Sequence, residues 1–188
     1  MKYIKTFESY DEFPDMFNNT LMRGVKTDKD EYIDDPKLRN INTGASSDKN
    51  YLEFLKNYIK FGIPDPTKSI HMFFRPNRDS IDMISFYGNS YRVIPQEGTV
   101  FGFNREMRNG GLGSTWFYPQ RTIKKYLGKD LNIDLESMSN DEITEYQKML
   151  IDSGVVGILT YEELLKMSTE KGEPLQVWTE SPCLHKKI

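Results

Sequence analysis

Hydrophobic positions along the chain change their spacing several times, and each change predicts a different element. The first regular stretch is "TLMRGV", Thr20 to Val25, a short apolar run with the character of a buried strand. From Lys26 to Asn50 the pattern disappears. "KTDKDEYIDDPKLRNINTGASSDKN" is dense in charges and turn formers and reads as a long loop, and loops of that length in a domain are usually functional or mobile. Helical spacing begins in "DKNYLEFLKNYIKFG", where Tyr51, Leu52, Phe54, Leu55, Tyr58 and Ile59 share one face and Gly62 supplies a stop. "IPDP" breaks the chain, and "SIHMFF" then has the β-branched and aromatic content of a strand. "DSIDMISFYG" predicts a short helix or turn ended by Gly88, and "SYRVIP" and "TVFGF" predict a hairpin joined by "QEG".

In the second half, Gly110, Gly111 and Gly113 make "NREMRNGGLGSTW" a flexible loop. "SNDEITEYQKMLIDSG" carries a capping box, Ser139 with Glu142, followed by Ile143, Tyr146 and Leu150 on one face and Gly154 as the stop. "GVVGIL" reads as a buried strand, "TYEELLKMS" repeats the capping logic with Thr160 and Glu163, and "EPLQVWTESPCLHKKI" alternates as one or two terminal strands do. Ahead of Thr20, "MKYIKTFESYDEF" spaces Tyr3, Ile4, Phe7, Tyr10 and Phe13 as a short amphipathic helix does, and such a helix is expected to pack on the domain. The expected organisation is an N-terminal amphipathic segment over 1–19 and one domain over 20–188.

Composition narrows the function classes. The chain has 188 residues and a net charge of −3, from 25 basic and 28 acidic side chains, so no overall electrostatic footprint for nucleic acid or an anionic membrane is present. Six arginines (Arg75, Arg78, Arg92, Arg105, Arg108 and Arg121) leave open a local basic patch. The single cysteine, Cys183, excludes an internal disulfide and fits a reducing compartment. With only His71 and His185 as imidazoles, far apart in sequence, no metal site is expected. The start lacks the apolar core of a signal peptide and no run is long enough to span a bilayer, so the expectation is a cytoplasmic protein without a membrane partner.

Arg23 is the residue that composition does not explain. A guanidinium in a buried strand costs several kcal/mol or more without a partner. Taken alone, it points to a structural ion pair with one of the carboxylates that follow it. An arginine next to a glycine is also a bidentate phosphate clamp that allows close backbone approach.

Three blocks in order favour the second reading. "LMRGV", "SIHMFFRPNRDSIDMISFYGNSYRVIP" and "STEKGEPLQVW" together resemble the ADP-ribosyltransferase superfamily in its arginine–serine–glutamate branch. The resemblance runs from about Leu21 to the end of the chain and rests on the order and spacing of the blocks. It implies an α+β fold of two small packed β-sheets flanked by helices, with NAD as substrate. Arg23 would bind the NAD phosphates, Gly24 would admit the nicotinamide amide, and Glu173 would be the catalytic carboxylate. Tyr87 and Tyr91 would wall the nicotinamide, or else fill the core. Bond cleavage between nicotinamide and ribose builds positive charge on the sugar, which a carboxylate near the ribose stabilises. Glu180, which also follows apolar strand residues, is the alternative carboxylate.

The implied activity is mono-ADP-ribosyl transfer to a host protein or nucleic acid. The opening "MKYIKTFESY" resembles those of proteins of large tailed phages, some of which carry capsid-targeting peptides. Two departures from the family pattern matter. The serine of the middle strand is missing from "HMFFRPN", unless Ser69 or Ser80 replaces it, and Lys171 stands two positions before Glu173 where arginine-modifying members have an acid. The alternative function is therefore a catalytically degenerate module that binds a nucleotide or inhibits a host protein.

Overall fold

The computed structural model describes residues 19–38, 48–75, 78–106, 112–171 and 175–188. In chain order these form strands β1 (Leu21–Val25) and β2 (Glu31–Asp34), helix α1 (Lys49–Asn57), strand β3 (Ile70–Phe74), helix α2 (Arg78–Phe86), and strands β4 (Asn89–Pro95) and β5 (Val100–Asn104). Helices α3 (Leu112–Phe117), α4 (Pro119–Leu127) and α5 (Asn140–Asp152) follow. Strand β6 (Val156–Thr160), helix α6 (Tyr161–Lys171), and strands β7 (Leu175–Thr179) and β8 (Cys183–Lys187) complete the chain. The fold is α+β. All eight strands join one hydrogen-bonded antiparallel sheet in the order β2-β8-β4-β1-β3-β7-β5-β6.

This corrects the expected pair of separate sheets, and connection lengths show how the single sheet is shaped. Strands β7 and β8 stand four places apart in the order, which is about 19 Å across a flat sheet. Residues 180–182 alone connect them, a span of about 14 Å when fully extended. The sheet must fold over on itself. It does so where pairing is thinnest, between β1 and β3, whose register holds only Leu21 opposite Phe74 and Met22 opposite Phe73. Inside the bend, Leu21, Val93 and Cys183 from one half meet Met72, Phe74, Phe101 and Val177 from the other in one buried cluster, closed by Leu164 of α6.

The predicted hairpin also needs correction. The turn forms where "QEG" placed it, with Thr99 N–H donating to Gln96 O at 3.2 Å. Its two strands nevertheless part company: β4 pairs with β1 and β8, whereas β5 pairs with β7 and β6. Val93 of β4 and Phe101 and Phe103 of β5 still meet in one buried cluster, across the bend rather than across a hairpin.

Helices α1, α3, α4 and α5 seal the outer face of the β3, β7, β5 and β6 half. Tyr51, Phe54 and Leu55 of α1, Trp116 of α3, Ile123 of α4 and Tyr146 and Leu150 of α5 bury together with Trp178 of β7. Gly102 is required here, because a Cβ at that position would lie 2.3 Å from the Trp178 ring. Asp48 caps α1 by accepting from the amides of Asn50 and Tyr51, and the capping box of Ser139 and Glu142 starts α5 as its sequence predicts. Three elements were not anticipated: β2 inside the expected loop, and α3 and α4 within and beyond the glycine-rich stretch. The signals for α4 are nonetheless in the chain, with Pro119 at its first turn and Gly128 at φ 65° after its last. The N-terminal segment lies outside the described residues up to position 18.

Candidate functional site

The three blocks come together. Arg23 lies on β1, the strands of the second block are β3 and β4 on either side of it, and the third block leads into β7 beside β3. The contiguous order β4-β1-β3-β7 therefore contains every strand of the resemblance. Glu173 itself, two residues before β7, lies outside the described residues. So do Arg108 and the side chains of Arg78, Ser80 and Lys171. Glu180 is exposed, just past the end of β7.

Arg23 points into the bend and already has an anion. Its Nη1 donates to Asp34 Oδ2 at 2.7 Å, and the side chains of the pair are 19% and 2% exposed. Burial draws the guanidinium pKa below its ordinary value. Asp34 reaches Arg23 because β2 pairs with β8, with Tyr32 opposite His185 and Asp34 opposite Cys183. Tyr32 stacks on His185 with ring centroids 4.8 Å apart, and His185 Nε2 stands 3.9 Å from Asp34 Oδ2. The residues around Arg23 thus form a closed polar cluster of the chain's own making. Burial also pushes the nearby Cys183 thiol up to about 12, which keeps it protonated and unreactive.

Of the two roles open to Tyr91, the structure gives it the core. Tyr91 is fully buried, and its hydroxyl donates to the carbonyls of Lys29 at 2.6 Å and Thr27 at 3.0 Å. It ties down the connection that carries β2, so no face of its ring is open to a ligand. Tyr87 is 53% exposed and sits edge-on to Phe86, which is 81% exposed. Gly24 has a structural reason that needs no ligand. A Cβ there would lie 1.9 Å from the Ile84 carbonyl oxygen, so the glycine lets α2 settle on β1.

On the other face of β3 and β7 a polar strip crosses the strands. His71 Nε2–H donates to Pro66 O at 2.6 Å, His71 Nδ1 accepts from Gln176 Nε2 at 3.4 Å, and Gln176 Oε1 accepts the Leu112 amide at 2.7 Å. Burial pushes the His71 imidazole down to about 4, which keeps it neutral in this chain of hydrogen bonds. Ser69, the candidate replacement for the missing serine, donates to Asp65 O at 2.7 Å and is buried in the turn before β3.

Two of the six arginines of the possible basic patch stand on separate elements. Arg121 lies 3.4 Å from the buried Glu106 carboxylate and over the Tyr118 ring, on α4, while Arg92 is exposed on β4. No group of three or more His, Cys, Asp or Glu side chains able to hold a metal gathers among the described residues. No described helix is long and apolar enough to cross a membrane.

Arg23 taken alone pointed to an ion pair with a carboxylate of the stretch that follows it, and Asp34 is that carboxylate; sequence reasoning did not single out Asp34 itself, nor Tyr32 and His185 around it. "EYID" sets its apolar pair between two charges in a polar stretch, which conceals a strand whose pairing in the described sheet is with β8. Compared with known proteins, the chain matches no protein-family model, no curated protein and no solved structure.

Proposed function

We propose that this protein is a catalytically degenerate ADP-ribosyltransferase-like module, one that captures a host protein or nucleotide rather than transferring ADP-ribose. The observation that carries this reading is the Arg23–Asp34 ion pair at 2.7 Å, with the carboxylate buried. An arginine waiting for a diphosphate keeps its fork open; here a carboxylate of the chain stands where the anion would bind. Two further observations agree. The Ser69 hydroxyl is engaged by Asp65, and Gly24 is filled by α2.

The second reading is retained NAD-dependent mono-ADP-ribosyl transfer, with Glu173 as the catalytic carboxylate. It is favoured by the contiguity of the three blocks in β4-β1-β3-β7. Nicotinamide release from NAD in the presence of host lysate separates the two. The degenerate module releases none, and millimolar NAD leaves its melting curve unchanged. Release that falls by orders of magnitude in Glu173→Gln while NAD affinity persists would establish the transferase instead.

A further inference from the structure

The outward face of strands β4, β8 and β2 carries a partly exposed apolar row, in which Leu184 and Ile94 are half-buried and Ile33 stands open at the edge. Ile33, Leu184 and Ile94 stand opposite one another across the three strands, and Ile33 is 69% exposed. The adjacent row is charged. Glu31, Lys186 and Arg92 stand opposite one another there; Lys186 lies 3.1 Å from Glu31, and Arg92 is exposed with no partner among the described residues. Helix α2 packs on β1 and β4 of this face, but no described helix packs extensively on β8 or β2.

What covers the row is indicated by where the described chain begins. It starts at Asn19 and enters β1 at Leu21, opposite Val93 and so immediately beside Ile94. The preceding 18 residues are thus tethered at the end of the row. From β1 to β2 is three strand spacings, about 14 Å, and the helix predicted over residues 3–13 spans about 16 Å. That stretch carries Tyr3, Ile4, Phe7 and Tyr10 at helical spacing, which makes the apolar stripe the row lacks. It also carries Glu8, Asp11 and Glu12 against Lys5, a net negative charge opposite in sign to Arg92.

We propose that residues 1–18 of this chain dock on the outward face of β4, β8 and β2, covering Ile33, Leu184 and Ile94. The face is then an internal seat for the N-terminal segment. A second copy of the chain is the competing occupant of the same row.

Disulfide trapping in the full chain distinguishes the two. The native Cys183 is buried with its thiol held protonated, so it does not compete. The double variant Phe7→Cys with Ile33→Cys is oxidised beside a control, Phe7→Cys with Ile158→Cys, the latter position being 41% exposed on the far edge strand β6. The expected result is an intrachain disulfide forming at least tenfold faster in the first pair, and slowing several-fold when Arg92→Glu is added. Equal rates in the two pairs, or no intrachain product, overturn the proposal. So does a covalent dimer as the main product, which would assign the row to a second copy. Tyr10→Cys with Ile33→Cys repeats the measurement with Phe7 intact, and failure of both pairs is decisive.

Discussion

In the half of the sheet made by β3, β7, β5 and β6, the outer face is sealed by aromatic and aliphatic side chains from four helices around Trp178. In the half made by β2, β8, β4 and β1, the buried centre is polar: Arg23, Asp34 and His185, with Tyr32 stacked on the imidazole. The first arrangement is non-directional, and its stability follows the apolar area removed from water. The second depends on each partner remaining in place, because a buried charge that loses its counterpart costs far more than the pair contributes. The apolar half can therefore tolerate conservative change, whereas the polar half is specified residue by residue. A site built on the polar half has to displace Asp34 before any ligand anion can reach Arg23.

The largest expected effect lies in the apolar half. Trp178 is fully buried between the helical layer and Gly102, and its Nε1 donates to Pro64 O at 2.8 Å. Trp178→Ala removes the largest buried side chain and leaves a cavity, with an expected loss of about 3–5 kcal/mol in urea denaturation. A loss under about 1 kcal/mol would mean that the helices do not close over this strand as described.

That same half is also where the chain was most readable. Regular spacing revealed α1, α5 and the strands β3, β6 and β7 because each buries one continuous face, and a period of two or of 3.6 residues is written in consecutive side chains. The polar half was legible at Arg23 as a choice between an ion pair with a following carboxylate and a phosphate clamp, and the structure shows the ion pair. Its partner, Asp34, sits on an edge strand whose outward residues Glu31 and Ile33 are exposed, so "EYID" lacks the apolar signature of a strand. Pairing choices were also hidden. Nothing local tells β4 to join β1 and β8 rather than β5, since that preference comes from the bend between β1 and β3 and from partners dozens of positions away. Tyr91 shows the same limit, because a tyrosine reads alike whether its hydroxyl meets solvent, a ligand or the Lys29 carbonyl.

The intermediate effect tests whether the polar half obeys the stated rule. Asp34→Ala leaves Arg23 mostly buried without its anion, and is expected to cost about 3 kcal/mol, at the lower end for a broken buried pair because the guanidinium keeps some access to water. The double replacement Arg23→Met with Asp34→Leu should recover most of that loss, since an apolar pair of similar volume needs no counterion. A double-mutant cycle reads the difference directly. Additive losses would show that Arg23 and Asp34 do not act as a pair, and would remove the observation on which the degenerate-module reading rests.

The smallest expected effect is the most informative about function. Tyr91→Phe deletes a hydroxyl that donates to the carbonyls of Lys29 and Thr27, in the connection between β1 and β2. Because those carbonyls can turn to water, the global cost is expected to be about 1 kcal/mol. The local consequence is larger. Among the described strands β2 pairs only with β8, and it is held at its start by this tyrosine, so amide exchange at Tyr32 to Asp34 should accelerate well beyond what the global loss accounts for. If Asp34 occupies an anion fork, loosening its strand also raises the population in which Arg23 is open, and inorganic pyrophosphate should then raise the melting temperature of Tyr91→Phe while leaving wild type unmoved. Adding Arg23→Ala should erase that gain. Faster exchange at β2 without any pyrophosphate effect would leave Arg23 and Asp34 as a purely structural pair, and the partner of this protein would then have to be sought on its surface rather than in the bend of its sheet.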